Sequence, residues 1–126
     1  MRCRLGMWAL ALLLGASAAL ADGPLRALHG GQVVETPDGV RVEFAVRDGA
    51  VIAWVRDHGD KPIPPSAVTG KATLLVGAKK LEMPLRPEGD GLIGQGDVTG
   101  RDKLTAVLNL AVNGKPVVVR FVRPPG

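Results

Sequence analysis

Residues 104–121 constrain the fold more than any other stretch of this chain. Apolar side chains alternate with polar or smaller ones on both sides of Asn113-Gly114, the dipeptide that most favours a two-residue type I′ β-turn. The pairs counted outward from this turn are Leu110–Val117, Leu108–Val119 and Ala106–Phe121. Because every inward side chain meets another inward side chain, turn chemistry and apolar pattern agree, and they predict an antiparallel hairpin.

A second hairpin is predicted at residues 71–76 and 81–85, around Gly77-Ala78. A two-residue turn there places Leu74 opposite Leu81 and Ala72 opposite Met83, which makes one consistent apolar face. Met83 could in principle be a soft metal ligand, but this inward position favours core packing.

Residues 40–58 form a third hairpin that turns at Asp48-Gly49, and its register is open to two readings. A plain two-residue turn pairs Phe44 with Ala53 and leaves Trp54 on the other face. One extra residue, with Gly49 left-handed in a bulge, pairs Phe44 with Trp54 instead. We favour the bulged register because it buries both aromatic side chains on one face, although a slip of one residue would reverse every side chain.

The remaining chain adds short strands and loops but no sustained helical period after residue 21. A short strand is predicted at residues 32–36, followed by a turn at Pro37-Asp38-Gly39, and residues 92–93 form at most a short strand. Residues 57–70, 86–91 and 94–101 are expected to be loops. The pattern predicts an all-β protein, a single antiparallel β-sandwich of about seven strands with Ig-like architecture, and a partly open barrel as the second choice.

The N-terminus has the features of a secretory signal peptide. Arg2 and Arg4 precede an apolar run that ends in the small-x-small pattern at residues 19–21. We therefore expect cleavage before Asp22, a periplasmic protein, and no membrane insertion after cleavage. The predicted organisation is a signal peptide at 1–21, an arm with the His-Gly-Gly turn at 22–31, the β-sandwich domain at 32–123 and a tail at 124–126.

Composition argues against several classes of function. The only cysteine, Cys3, lies in the signal, so disulfides and thiolate chemistry are excluded from the expected mature chain. The formal charge of +4 falls to +2 without Arg2 and Arg4, which is too balanced to predict nucleic-acid binding. Ser66 is the one serine left, and no nucleophile motif surrounds it. We expect a protein that is not an enzyme.

Metal binding is the specific chemistry that has candidate residues. His29 and His58 are the only histidines, each next to glycine, and the carboxylates of Glu43, Asp57 and Glu35 could complete a shell for zinc or copper. The alternative of two surface histidines stays open, because the spacing matches no compact metal motif. If residues 37–39 close a hairpin, His29 falls beside residues 47–48 and His58 beside residue 40, roughly 23 Å apart.

Several short motifs resemble a family of small exported bacterial β proteins. These motifs are HGG at residues 29–31, VVE, VRVEFAV, DHGDKP from residue 57, GKATLLV and KKLEMPL, and the resemblance as a whole covers about residues 29–121. Such domains occur alone or as the N-terminal module of periplasmic heavy-metal efflux adaptor (membrane-fusion) subunits. The resemblance implies a role with heavy-metal cations, with His29, Glu43, Asp57 and His58 as site residues. The chain departs from the family in having no tyrosine.

Two functional hypotheses follow from these observations. The first is a periplasmic, non-enzymatic domain for heavy-metal cation binding or efflux, which takes zinc, copper or cobalt and docks on an envelope efflux component. The second is a periplasmic protein-interaction domain without a metal role, which would present residues 115–122 as an edge strand with Val118 and Val122 outward. The pattern is equally compatible with a place for this strand inside the sheet, and it does not indicate an oligomeric state.

Overall fold

The computed structural model describes residues 25–124, whose regular secondary structure is almost entirely β-strand. The strands are β1 (Gln32–Glu35), β2 (Arg41–Arg47), β3 (Ala50–Arg56), β4 (Val68–Val76), β5 (Lys79–Glu88), β6 (Gly91–Gln95), β7 (Leu104–Val112) and β8 (Lys115–Arg123). One turn of 3₁₀-helix, Pro65–Ala67, leads into β4. The predicted signal peptide and cleavage point lie outside the described residues. Within them, no helix has the length and apolar character needed to cross a membrane.

All strands are antiparallel and form one sheet in the order β1-β2-β3-β6-β5-β4-β7-β8. The two end strands, β1 and β8, lie side by side without a ladder, and the Gln32 side-chain amide donates to the Val122 carbonyl at 3.0 Å. The all-β antiparallel class is therefore confirmed. The division into two sheets of an Ig-like sandwich is not confirmed, because the single eight-stranded sheet curls into a nearly closed barrel.

The two hairpins with clear turn signals have the predicted registers. In β7–β8, Leu108 pairs with Val119, and Asn113 and Gly114 adopt φ values of 50° and 82°, as a type I′ turn requires. In β4–β5, Leu74 pairs with Leu81 and the buried Met83 pairs with Ala72. The prediction that Met83 packs in the core is confirmed.

The preferred register of the β2–β3 hairpin was wrong. Asp48-Gly49 is a plain two-residue turn with Gly49 at φ 81°, so Phe44 pairs with Ala53 and Trp54 pairs with Glu43. Phe44 faces the core and stacks on Phe121 of β8, with ring centroids 4.9 Å apart. Trp54 is on the outer face of the barrel, yet it is only 8% exposed. The bulged register was preferred so that Trp54 could be buried inside the barrel, but Trp54 is buried on the outer face as well.

Two segments assigned to loops belong to strands. β4 begins at Val68 rather than after Gly70, and β5 continues through Arg86–Glu88, which pairs with β6. Pro87 is accommodated because it lies near the end of β5 and pairs with Leu92.

Candidate functional site

The site is on the outer face of β2 and β3, where the N-terminal arm crosses the barrel. Val42 and Phe44 point into the core, so Glu43 between them points outward, next to Trp54 of β3. The sequence places a carboxylate, an indole and, one pair further on, the Arg56 guanidinium on this face. All three are buried, since Glu43 is 0% and Arg56 2% exposed.

The His-Gly-Gly turn brings His29 onto this face. Gly30 has φ 76°, a conformation that favours glycine, and a Cβ at position 31 would collide with the Phe44 carbonyl oxygen. The turn takes the chain out of the β1 register, so His29 does not reach residues 47–48 as the hairpin prediction implied. Instead its imidazole stacks on Trp54 with ring centroids 4.0 Å apart and planes 3° from parallel.

The Glu43 carboxylate fixes the arm by accepting three backbone N–H groups. Leu28 donates to Oε1 at 2.9 Å, while His29 and Gly31 donate to Oε2 at 2.8 and 2.9 Å. Burial raises the pKa of Glu43, but the three N–H donors and the His29 ring outweigh it, so that the pKa lies below its usual value. The carboxylate is thus charged and saturated by donors, although it has no contact with solvent.

The His29 ring lies between two carboxylates. Its Nδ1 is 3.3 Å from Glu43 Oε1, and its Nε2 is 3.3 Å from Asp90 Oδ2. Asp90 belongs to the β5–β6 turn, where Gly89 has φ 59°. Trp54 Nε1 donates to Asp90 Oδ1 at 3.2 Å, and this hydrogen bond is the main reason why the Asp90 pKa is lowered. We refer to His29, Glu43, Trp54 and Asp90 as the His29 cluster.

The second histidine has a different partner. His58 Nδ1 is 2.8 Å from Glu35 Oε2, and the His58 ring is 78% exposed above Gly39. Arg41 Nε donates to the same Glu35 oxygen at 2.8 Å, and mainly for that reason the pKa of Glu35 is lowered and that of Arg41 raised. The prediction placed His58 beside Val40, whereas the ring lies against Gly39, one residue away, because the β2–β3 turn lacks the predicted bulge.

An ion chain connects the two histidines. From Glu35 it passes to Arg41, then to Asp60 at 3.0 Å, to Arg56 at 3.7 Å and to Glu43 at 3.8 Å. The Arg56 Nη2 also donates to the Arg26 carbonyl at 2.9 Å, while its Nε and Nη1 have no hydrogen-bond partner among the described residues. The histidines are therefore linked through intermediates but do not share a partner.

The four predicted site residues do not meet at one point. His29 and Glu43 are together, whereas His58 belongs to the other end of the ion chain. Asp57 Oδ1 accepts hydrogen bonds from the backbone N–H groups of Gly59 and Lys61, so this oxygen stabilises the loop at residues 57–61. Sequence reasoning missed Asp90 and Trp54. The glycine-flanked carboxylate at positions 89–91 was the available signal for Asp90.

The donor atoms fit a metal ion only as a pair. In residues 25–124 no group of three or more His, Cys, Asp or Glu side chains is arranged to hold one. His29 Nε2 and Asp90 Oδ2 are 3.3 Å apart, and two ligands each ~2.0–2.1 Å from one tetrahedral ion lie about that far apart. Two protein ligands leave the other positions to water.

Comparison of the chain with known protein families, with curated proteins and with solved structures finds no match. The resemblance to efflux-adaptor modules consequently stays a prediction.

Proposed function

We propose that this chain is an exported, non-enzymatic domain that binds a divalent transition-metal cation through His29 Nε2 and Asp90 Oδ2. Zinc, copper and cobalt suit an imidazole and carboxylate pair. The observation that supports the proposal is the placement of the His29 ring, with one nitrogen against each of two carboxylates at 3.3 Å.

Both donor groups are held by partners that a metal would not displace. Glu43 faces Nδ1 of His29, and Trp54 donates to Asp90 Oδ1, whereas the imidazole contacts the other oxygen, Oδ2. Metal-binding histidines commonly have a carboxylate on their second nitrogen, which sets the tautomer and the ring orientation. Stacking on Trp54 removes the remaining freedom of the ring. With only two protein ligands, we expect weaker binding than at a closed site of three or four.

Calorimetric titration with Zn²⁺, Cu²⁺ and Co²⁺ tests the proposal. Asp90→Asn keeps the size of the side chain and an acceptor for Trp54, but it removes the anionic ligand. We expect this substitution to weaken binding by at least about tenfold, which corresponds to ~1.4 kcal/mol. The matched control is His58→Gln, because His58 also lies against a carboxylate but outside the His29 cluster.

Unchanged affinity in Asp90→Asn, or no binding by the unsubstituted domain, would refute the proposal. Equal weakening by His58→Gln would also refute it, because that result would locate the ion elsewhere.

We further propose that the domain acts in the periplasm with an envelope efflux component. The support is the signal-like N-terminus and the resemblance of its motifs. Cell fractionation of the full chain with a C-terminal tag would test the location: recovery in the cytoplasm at full length contradicts it.

A second candidate function is docking of a partner strand on β8. This strand is one end of the sheet, and its outward side chains Val118 and Val122 are 62% and 57% exposed. Edge strands present backbone groups that a partner strand can pair with. Val118→Lys should abolish capture of an envelope partner without changing metal affinity, and unaltered capture would contradict this candidate.

A further inference from the structure

A cavity opens where β1 begins. β1 pairs with β2 only as far as Gln32–Phe44, whereas β2 continues to Arg47. Before Gln32 the chain leaves the sheet through Gly31, so no described strand pairs with residues 45–47 on this side. Gly100 comes near, since a Cβ added to it would lie 3.8 Å from the Val46 carbonyl oxygen. The cavity has a volume of about 160 Å³, far more than the ~10–15 Å³ that one water needs. We call it the slot.

One wall of the slot is an open strand edge. The Asp48-Gly49 turn makes Arg47–Ala50 the hydrogen-bonded pair next to the turn, so the backbone groups of Arg47 point toward β3. Successive residues of an antiparallel strand point their N–H and C=O groups to opposite sides. The N–H and C=O of Val46 therefore point into the slot, where Arg47 Nη1 donates to the Val46 carbonyl at 3.4 Å and leaves its second lone pair for a further donor.

The charged side chains around the slot are cationic. Arg47 and, from β8, Arg123 line it, and no acidic side chain of the described residues does so. Arg123 is anchored, because its Nη1 donates to the Asp102 carbonyl at 2.7 Å and its Nη2 donates to the Gly100 carbonyl. A guanidinium has five N–H donors, so Arg123 retains donors for an anion.

We propose that the slot binds an extended peptide that ends in a free carboxylate. One peptide residue takes the position that β1 leaves vacant and exchanges two backbone hydrogen bonds with Val46. The terminal carboxylate pairs with Arg47 and Arg123. This combines strand addition with recognition of a chain end. The site goes beyond metal binding and contains neither His29 nor Asp90.

The probe is the pentapeptide acetyl-Thr-Val-Thr-Val-Val with a free carboxylate, compared with the same peptide amidated at its C-terminus. NMR of the domain should show a shift of the Val46 amide and slower hydrogen exchange there with the free acid. We expect the amide form, and the free acid on Arg47→Gln, to bind about tenfold more weakly, as for one charge-assisted hydrogen bond. Arg120→Gln is the matched control, because Arg120 is exposed on β8 and does not line the slot.

An unshifted Val46 amide would overturn the proposal. So would equal binding of the two peptides, equal losses in Arg47→Gln and Arg120→Gln, or shifts confined to residues 116–120 of β8. The metal titration of Asp90→Asn is unaffected by any of these results.

Discussion

Replacing Glu43 by glutamine should release the N-terminal arm. The carboxamide has one oxygen, so either the Leu28 N–H or the N–H groups of His29 and Gly31 lose their acceptor and face an NH₂ group instead. A lost hydrogen bond to a charged acceptor costs about 1.5–3 kcal/mol, and removal of one partner of a buried ion pair costs about 3–5 kcal/mol. The second figure applies because Arg56 is buried and 3.8 Å from Glu43.

The lost hydrogen bond and the broken ion pair with Arg56 both follow from removal of the same charge, so their costs are not added. We expect Glu43→Gln to lower the free energy of unfolding by about 3 kcal/mol. Urea denaturation followed by tryptophan fluorescence measures it. Trp54 is the only tryptophan after the predicted cleavage point, since the other is Trp8, and its stacking on His29 makes it a reporter of the arm. Circular dichroism of the same samples reports on the barrel.

Glu82→Gln is the matched control for this experiment. Glu82 is a half-exposed glutamate of β5 whose partner is Lys80 at 3.3 Å. Exposed pairs contribute little, and we expect a change below about 1 kcal/mol. If Glu43→Gln were as stable as Glu82→Gln, the buried carboxylate would not hold the arm, and the reasoning would be refuted.

Two further predictions concern pH and the glycine turn. The pKa values of Glu43 and Asp90 are lowered in the folded protein, so their contribution is present above the unfolded pKa values and is lost as pH falls through the folded ones. The urea concentration at the denaturation midpoint should therefore decrease when the pH is lowered below about 4, the usual pKa of a carboxyl group. A urea midpoint that stays constant down to about pH 3 would contradict this assignment. Gly31→Ala should free the arm and change Trp54 fluorescence, because its methyl group would meet the Phe44 carbonyl. Gly49→Ala, where no atom lies within 4 Å, serves as the control and should cost only the ~1 kcal/mol of a strained φ. A Gly31→Ala spectrum equal to that of Gly49→Ala would contradict the close packing of the turn.

The parts of the fold that local chemistry determines could be predicted from sequence. Asn113-Gly114 and Gly77-Ala78 fixed the registers of their hairpins, because the turn type and the apolar alternation agreed. The Asp48-Gly49 hairpin failed for a different reason. The prediction assumed that Trp54 needs the inner face, whereas the arm buries it from outside through His29.

The candidate site was only half predictable. Glu43 and His29 were recognised as residue types suited to one site, and the His-Gly-Gly turn brings them together. Asp90 was missed, since its contact with Trp54 depends on the pairing of β3 with β6. No local pattern encodes that pairing between strands 35 or more residues apart. His58 was grouped with His29 on composition and on the family resemblance, although the predicted strand registers kept them apart, and the ion chain shows that they occupy separate ends.

Titration of the domain with Cu²⁺ while the Trp54 emission is recorded tests the central proposal most directly. Asp90 accepts a hydrogen bond from the indole, and His29 stacks on it, so an ion held between them would lie close to the ring. We predict saturable quenching with the midpoint found by calorimetry, unchanged in His58→Gln and moved to at least about tenfold higher Cu²⁺ in Asp90→Asn. Emission that is unchanged by Cu²⁺ at calorimetric saturation, or quenching with the same midpoint in Asp90→Asn, would contradict a metal site in the His29 cluster.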